Sequence, residues 1–323
     1  MGRIFSINFF ADLTITNTVA MEVLIASKPV LPLTEQQIQV RLKASARLPS
    51  LGSIHSALRE LLTAEQRYTT QISEIIRRDP SLTARLLRLV NSVYYGLSAP
   101  VNSIEEAVFY LGVRQIRQLA MVTPVIEDFQ RLAGNTPFPW RGFWQHCIGT
   151  AILTREVISA VEVPADESDY VAGLIHDVGK IVMSASFPEH FAEVRRRMDA
   201  GDTDLLRVEA EVLGMNHTQL GALYLKNHNL PDVMIEAASF HHEPERASHH
   251  GRIVAAVQIA NLMMRYARIG ESGNPHVPTD DDWLKASGWG ILFPGQDESN
   301  HAIARATLKR SLDRLPTILE GLV

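Results

Sequence analysis

From Leu48 to about residue 269 the apolar residues recur every third or fourth position, and period-two alternation is nearly absent, so the chain reads as one helix after another. Asp79-Pro80 offers a carboxylate for an N-cap and a proline for the first helical position. Leu82, Leu86, Leu89, Val90 and Val93 then form an apolar stripe that Gly96 ends. Ser103 and Glu106 have capping-box spacing and open a helix through Ala107, Tyr110 and Leu111. Gly112 separates it from a helix over about 113–130, and Gly134, Pro137 and Pro139 break the chain into two lobes. A long helix is predicted over about 141–160. Others follow near 168–177, 188–199, 203–213, 216–228, 232–241 and 251–268, and a last amphipathic helix lies near 300–320. The fold class is all-α.

The ends differ from this middle. In residues 1–45, Leu13, Ile15, Val19, Val23 and Ile25 among Thr and Asn predict one or two short β-strands, and Pro29 and Pro32 argue against helix there. Residues 270–323 form a C-terminal extension that opens with Gly, Asn, Pro and Asp.

At 323 residues and 46% hydrophobic content the chain can bury a large core. A net charge of -5 argues against a broad nucleic-acid surface. The single Cys147 rules out an internal disulfide framework and suits a reducing compartment. No run is long and apolar enough for a membrane helix, and the N-terminus, with Arg3 alone as a basic residue and Asp12 close behind, does not read as a leader. These features predict a bacterial-type cytoplasmic protein without a membrane partner.

Candidate chemistry centres on the adjacent pair His176-Asp177, which closes an apolar stretch before Val178-Gly179-Lys180. One imidazole and one carboxylate from a single helix end suit Zn, Mn or Fe, and a carboxylate has oxygens enough to bridge two ions. His146 shares a helix face with Phe143, Thr150, Leu153 and Val157, so its ring points inward. His217 lies with Leu220, Gly221 and Tyr224, and His241 and His242 follow the apolar run from Ile235 to Phe240. Asn261 shares the face of Val254, Val257 and Met264. Each inward polar group needs a partner, which hydrogen bonding in the core or one shared ion would supply. Cys147 faces away from His146 and reads as a core thiol, while His249 and His250 read as solvated loop residues.

The order His146, His176-Asp177, His217, His241 and His242 resembles the HD superfamily of metal-dependent phosphohydrolases. Val178-Gly179-Lys180 and Glu243 are similar to the HDxGK and HHE patterns of its HD-GYP phosphodiesterases. The first lobe resembles the HDOD domain in Leu48-Pro49-Ser50-Leu51, in the stretch from Ile75 to Thr83, and in Leu86 to Ser92; so do Ala107 to Gly112 and Leu213 to His217. That resemblance spans residues 46–269, with a first lobe over 46–134 and an HD-like helical bundle over 135–269. It implies a bacterial signal-transduction module acting through protein–protein contacts, with diguanylate cyclase or response-regulator partners in cyclic di-GMP signalling. It further implies a divalent-metal site at His146, His176, Asp177, His217, His241, His242 and Asn261, partly retained and non-catalytic. The alternative is a metal-dependent phosphodiesterase acting on a cyclic dinucleotide or nucleotide, with Lys180 contacting phosphate; otherwise Lys180 is a helix C-terminal lysine. Two departures weigh against catalysis: Asn261 where the superfamily expects its last Asp, and Gly142 where HD-GYP enzymes carry a further Glu.

Overall fold

The structure, a computed structural model, describes residues 30–44, 87, 90, 100–110, 138–161, 167–280, 282–295 and 298–320. Among the described residues there is no strand, and the architecture is all-α. The strands expected over 13–25, the Leu48 to Leu51 motif, Leu82, Leu86, Leu89 and Val93 of the first stripe, and the 113–130 helix lie outside the described residues. Val90 of that stripe is helical and fully buried. At Ser103 the expected cap is present: Glu106 N–H donates to Ser103 Oγ at 3.1 Å, and residues 104–110 are helical.

The reading of residues 1–45 as free of helix is corrected by α1 (Glu35–Ala44). Pro29 and Pro32 both precede its start, and Thr34 with Gln37 forms a reciprocal cap, Thr34 N–H to Gln37 Oε1 at 2.8 Å and Gln37 N–H to Thr34 Oγ1 at 3.4 Å. Ile38 and Leu42, one turn apart, are the face it buries.

The hub is α2 (Trp140–Ala160), whose buried residues run from Phe143 to Ile158 on nearly every side. Such a helix needs partners all round. It has them in α3 (Glu167–Ile175), α9 (Gly251–Tyr266) and α12 (Glu298–Glu320). Small residues set the spacing. A Cβ on Gly173 of α3 would lie 2.7 Å from Ala151 Cα, and one on Gly149 would overlap Met264 of α9 and Leu315 of α12. Arg155 and Asp169 clasp α2 to α3 as a buried ion pair at 2.6 Å.

Helix α3 stops at Ile175, His176 and Asp177 form a turn, and α4 (Val178–Ser186) starts at once. The hydrophobic pattern predicts no helix between about 177 and 188 and so misses α4, because Gly179 reads as a terminator. Here it sits inside α4, where a Cβ would lie 1.9 Å from His217 O of α7 (His217–Asn227). Between them come α5 (Pro188–Asp199) and α6 (Leu205–Leu213), the latter capped by the Asp204 side chain on Arg207 N–H and closed by Gly214 at φ 95. Asn216 and Gln219 form the capping box of α7. Then follow α8 (Asp232–Phe240), a 3-10 turn at Pro244–Arg246, α9, and two short helices, α10 (Asp282–Lys285) and α11 (Ser287–Leu292), before α12. No helix among the described residues is long and apolar enough to cross a membrane.

Candidate metal centre

Four imidazoles converge on one carboxylate, and a fifth, His242, stands beside two of them. His146 comes from α2, His176 and Asp177 from the α3–α4 turn, His217 from the first position of α7, and His241 and His242 from the end of α8. His146 Nε2 and His176 Nε2 lie 3.7 and 3.3 Å from Asp177 Oδ2, and His217 Nε2 and His241 Nε2 lie 3.3 and 3.7 Å from Asp177 Oδ1. His242 lies beside His241, ring centroids 4.1 Å apart and the planes tilted by 44°. His146, His176, Asp177, His217 and His241 are each at most 1% exposed.

The far edges of the rings are fixed. His176 Nδ1–H donates to Gly173 O at 2.8 Å, His241 Nδ1–H donates to Ala237 O at 3.1 Å, and His217 Nδ1–H donates to Glu209 Oε2 at 2.6 Å. Each bond leaves Nε2 with its lone pair facing the cluster. All five Nε2 atoms and Asp177 Oδ1 are buried without a hydrogen-bond partner. Buried polar atoms are ordinarily paired, and six orphans at one point are groups that a shared cation could satisfy. A tetrahedral ion with bonds of about 2.0–2.1 Å holds neighbouring ligands about 3.3 Å apart, and the two shorter His–Asp177 spacings fit that value. The donor set of nitrogen and carboxylate oxygen fits Zn, Mn or Fe.

The electrostatics agree. Burial, with the neighbouring His176, pushes His146 down to about 3, and burial holds His241 and His242 well below 6.5, so all three stay neutral as ligands must. Burial also opposes charge on His217, but the Glu209 carboxylate leads the effects that outweigh it, and its pKa is raised. Asp177 is disfavoured as an anion by burial, yet Lys180 and His176 hold its pKa well below 3.8. Stability should follow. His146, His241 and His242 each bind a proton when unfolded and not when folded, so their contribution is full above pH 6.5. It shrinks as pH falls, towards about 3 for His146, by up to about 1.4 kcal/mol per pH unit for each histidine. His217 acts oppositely, adding stability below pH 6.5 that disappears as pH rises through its folded value. Below pH 6.5 the His217 contribution is constant while the other three decline together, so the chelator-treated protein should lose stability steeply from pH 6.5 downward. A denaturation midpoint level between pH 7 and pH 5 would contradict this.

Asn261 is buried on α9 with its side-chain oxygen unpartnered. One turn further on, Arg265 acts electrostatically on His146 and Asp177. Lys180 is not a helix C-terminal lysine: it stands in the first turn of α4 and donates to Asp177 Oδ2 and to Ser272 O, both at 2.6 Å. Cys147 is buried, and burial, then Asp177, raises its thiol well above 9.0, as suits a core residue. His249 is largely exposed, as expected of a loop residue.

Two features were missed in the sequence. Glu209 is one. It lies on the buried face of α6 with Leu205, Val208 and Val212, and an acid on an apolar face was its signal. A carboxylate that orients a ligating histidine typically contributes 10–100-fold to metal affinity, so Glu209→Gln should weaken binding by that factor in a chelator-competition titration. Unchanged affinity would reduce Glu209 to a packing residue. The other is the segment after α9. Gly270, at φ 72, turns the chain where a Cβ would lie 2.4 Å from Gly142 O, and Glu271 N–H donates to Gly142 O at 2.8 Å. This strap, with Ser272 held by Lys180, borders a cavity of about 350 Å³ whose lining includes His146, Lys180, Glu209, Phe143, Phe191 and Arg265.

The HDOD domain profile matches residues 48–244. An HDOD domain protein of unknown function from Geobacter sulfurreducens superposes with a TM-score of 0.74 at 22% identity, covering 90% of this chain and 99% of that one. A candidate phosphohydrolase from Shewanella amazonensis superposes at 0.63 with 21% identity, covering 88% and 98%. A candidate signal-transduction protein from Marinobacter aquaeolei gives 0.61 at 18%, covering 95% and 65%. An uncharacterised protein of Treponema pallidum is 24% identical over 237 residues, 72% of this chain, which spans 45% of that relative's length. With the profile matched over more than half its length and the same helical fold in the solved structures, this chain belongs to the HDOD family.

Proposed function

We propose that this protein is a signal-transduction module that acts by binding other proteins, of diguanylate-cyclase or response-regulator type, and that it keeps an HD-type metal centre without efficient turnover. His146, His176 and Asp177 form one candidate ligand group for the metal, and His217, His241 and His242 form another. A bound divalent ion supplies charge neutralisation and, in hydrolases, an activated water. The observation that carries the non-catalytic reading is the supply of anionic ligands: among five imidazoles the cluster has one carboxylate, Asp177, and Asn261 is an amide. A neutral amide oxygen is a weaker ligand than a carboxylate, and phosphodiester hydrolysis commonly uses two ions, on the attacking and the leaving oxygens.

A phosphohydrolase is the second reading, favoured by the cavity that reaches His146 and Lys180. Protein purified without a His tag and loaded with Mn or Fe separates the two. The module reading expects stoichiometric metal, no useful turnover of cyclic di-GMP or nucleotides, and capture of a signalling partner. Asn261→Asp should gain metal affinity and little activity. Robust wild-type turnover that disappears in His176→Ala would establish the enzyme instead.

A further inference from the structure

The cluster has two halves, alike in shape. His146 Nε2 and His176 Nε2 face Asp177 Oδ2 at 3.7 and 3.3 Å. His217 Nε2 and His241 Nε2 face Asp177 Oδ1 at 3.3 and 3.7 Å, with His242 completing a trio of possible ligands. Spacing therefore gives neither half an advantage for an ion. What separates them is Lys180.

Its ammonium lies 2.6 Å from Asp177 Oδ2 and donates its second bond to Ser272 O, also at 2.6 Å. Asp177 Oδ1, on the other side of the same carboxylate, has no hydrogen-bond partner. One oxygen is already bonded to a cation and the other is free. The local charge points the same way. Asp177 faces both halves and Glu209 bonds His217 of the second, whereas the charges of Lys180 and Arg265 reach His146 and Asp177. A dication bound at Oδ2 would share that oxygen with a buried ammonium, and like charges in a poorly solvated place repel strongly. Lys180 is anchored rather than free to swing away, because Ser272 O lies in the strap that Glu271 and Gly270 fasten to Gly142.

We propose that Lys180 is the resident cation of the His146–His176 half, and that the protein takes one divalent ion, held by His217, His241 and His242 with Asp177 Oδ1. This rests on the metal-centre reading above and gives it a count and a place. The single ion then stands away from the cavity, whose lining includes His146 and Lys180 and none of His217, His241 and His242. Its role is to tie the start of α7 to the end of α8 through the α3–α4 turn.

The test is ion stoichiometry of the full chain, loaded with Mn(II) or Zn(II), passed through gel filtration and measured by elemental analysis. The wild type should carry one ion and Lys180→Met two, with spin coupling between the two Mn(II) ions in the variant's EPR spectrum. His146→Ala should keep the single ion and His242→Ala should lose it. Should Lys180→Met fail to fold, Lys180→Gln and the two histidine variants decide. Two ions in the wild type, one in both lysine variants, or loss in His146→Ala with retention in His242→Ala would overturn the assignment and leave the metal centre standing. No ion in any of these proteins would overturn the metal centre as well.

Discussion

Asp177→Ala should cost the fold about 3–5 kcal/mol, the usual penalty for stranding one member of a buried ion pair. Lys180 loses its carboxylate and keeps Ser272 O, a neutral acceptor, in a place where its side chain is 10% exposed. The same change removes the one group that four imidazoles approach within 3.7 Å. Metal should therefore no longer stabilise the protein. For the wild type, an ion at 100–1,000 times its dissociation constant adds about 2.7–4.1 kcal/mol by mass action, and for the variant it should add nothing. Urea unfolding with and without added Zn or Mn reads both quantities. Asp177→Asn, which keeps the shape and removes the charge, separates lost packing from lost charge. An unfolding midpoint that rises on loading as much in Asp177→Ala as in the wild type would remove Asp177 from the centre.

Gly179→Ala is the second large effect, and it involves no ligand at all. The added methyl would lie 1.9 Å from His217 O and 2.8 Å from Gly221 N, both backbone atoms. Ordinary overpacking destabilises by about 1–3 kcal/mol because flexible side chains move aside. Here nothing flexible stands in the way, so α4 and α7 must separate, and the loss should reach or exceed the top of that range. The separation also drags His217 from Asp177, so metal affinity should fall with stability. Gly290→Ala is the control: its Cβ meets nothing within 4 Å inside α11, and it should stabilise by about 0.5–1 kcal/mol. If the two alanine variants unfold at the same denaturant concentration, the close approach of α4 and α7 is wrong.

What the sequence made legible was periodic. The long helix through His146 announces itself because inward positions recur from Phe143 to Val157, along about four turns. The inward pointing of His146 and His217 follows from the same rows. What stayed hidden was local or non-local in character. Helix α1 was obscured by two prolines that lie just before its cap, and the Thr34–Gln37 spacing was the overlooked sign. Helix α4 was obscured by Gly179, whose purpose is a contact made 38 residues downstream at His217. Two of Lys180's neighbours illustrate the limit. Asp177 is three positions away and readable, whereas Ser272 O is a backbone atom 92 positions away, and no side-chain pattern can announce it.

The packing at Gly149 has a consequence for how this protein can be divided. The matched family segment ends at 244, yet the two side chains that close over Gly149, Met264 and Leu315, come from beyond that point. They cover the helix that aims His146 at Asp177. The segment recognisable by descent and the segment that can fold alone are therefore not the same length. A fragment cut at residue 244 would inherit all five of the cluster's histidines while leaving α2 with a bare apolar flank, and it should aggregate more readily than the full chain.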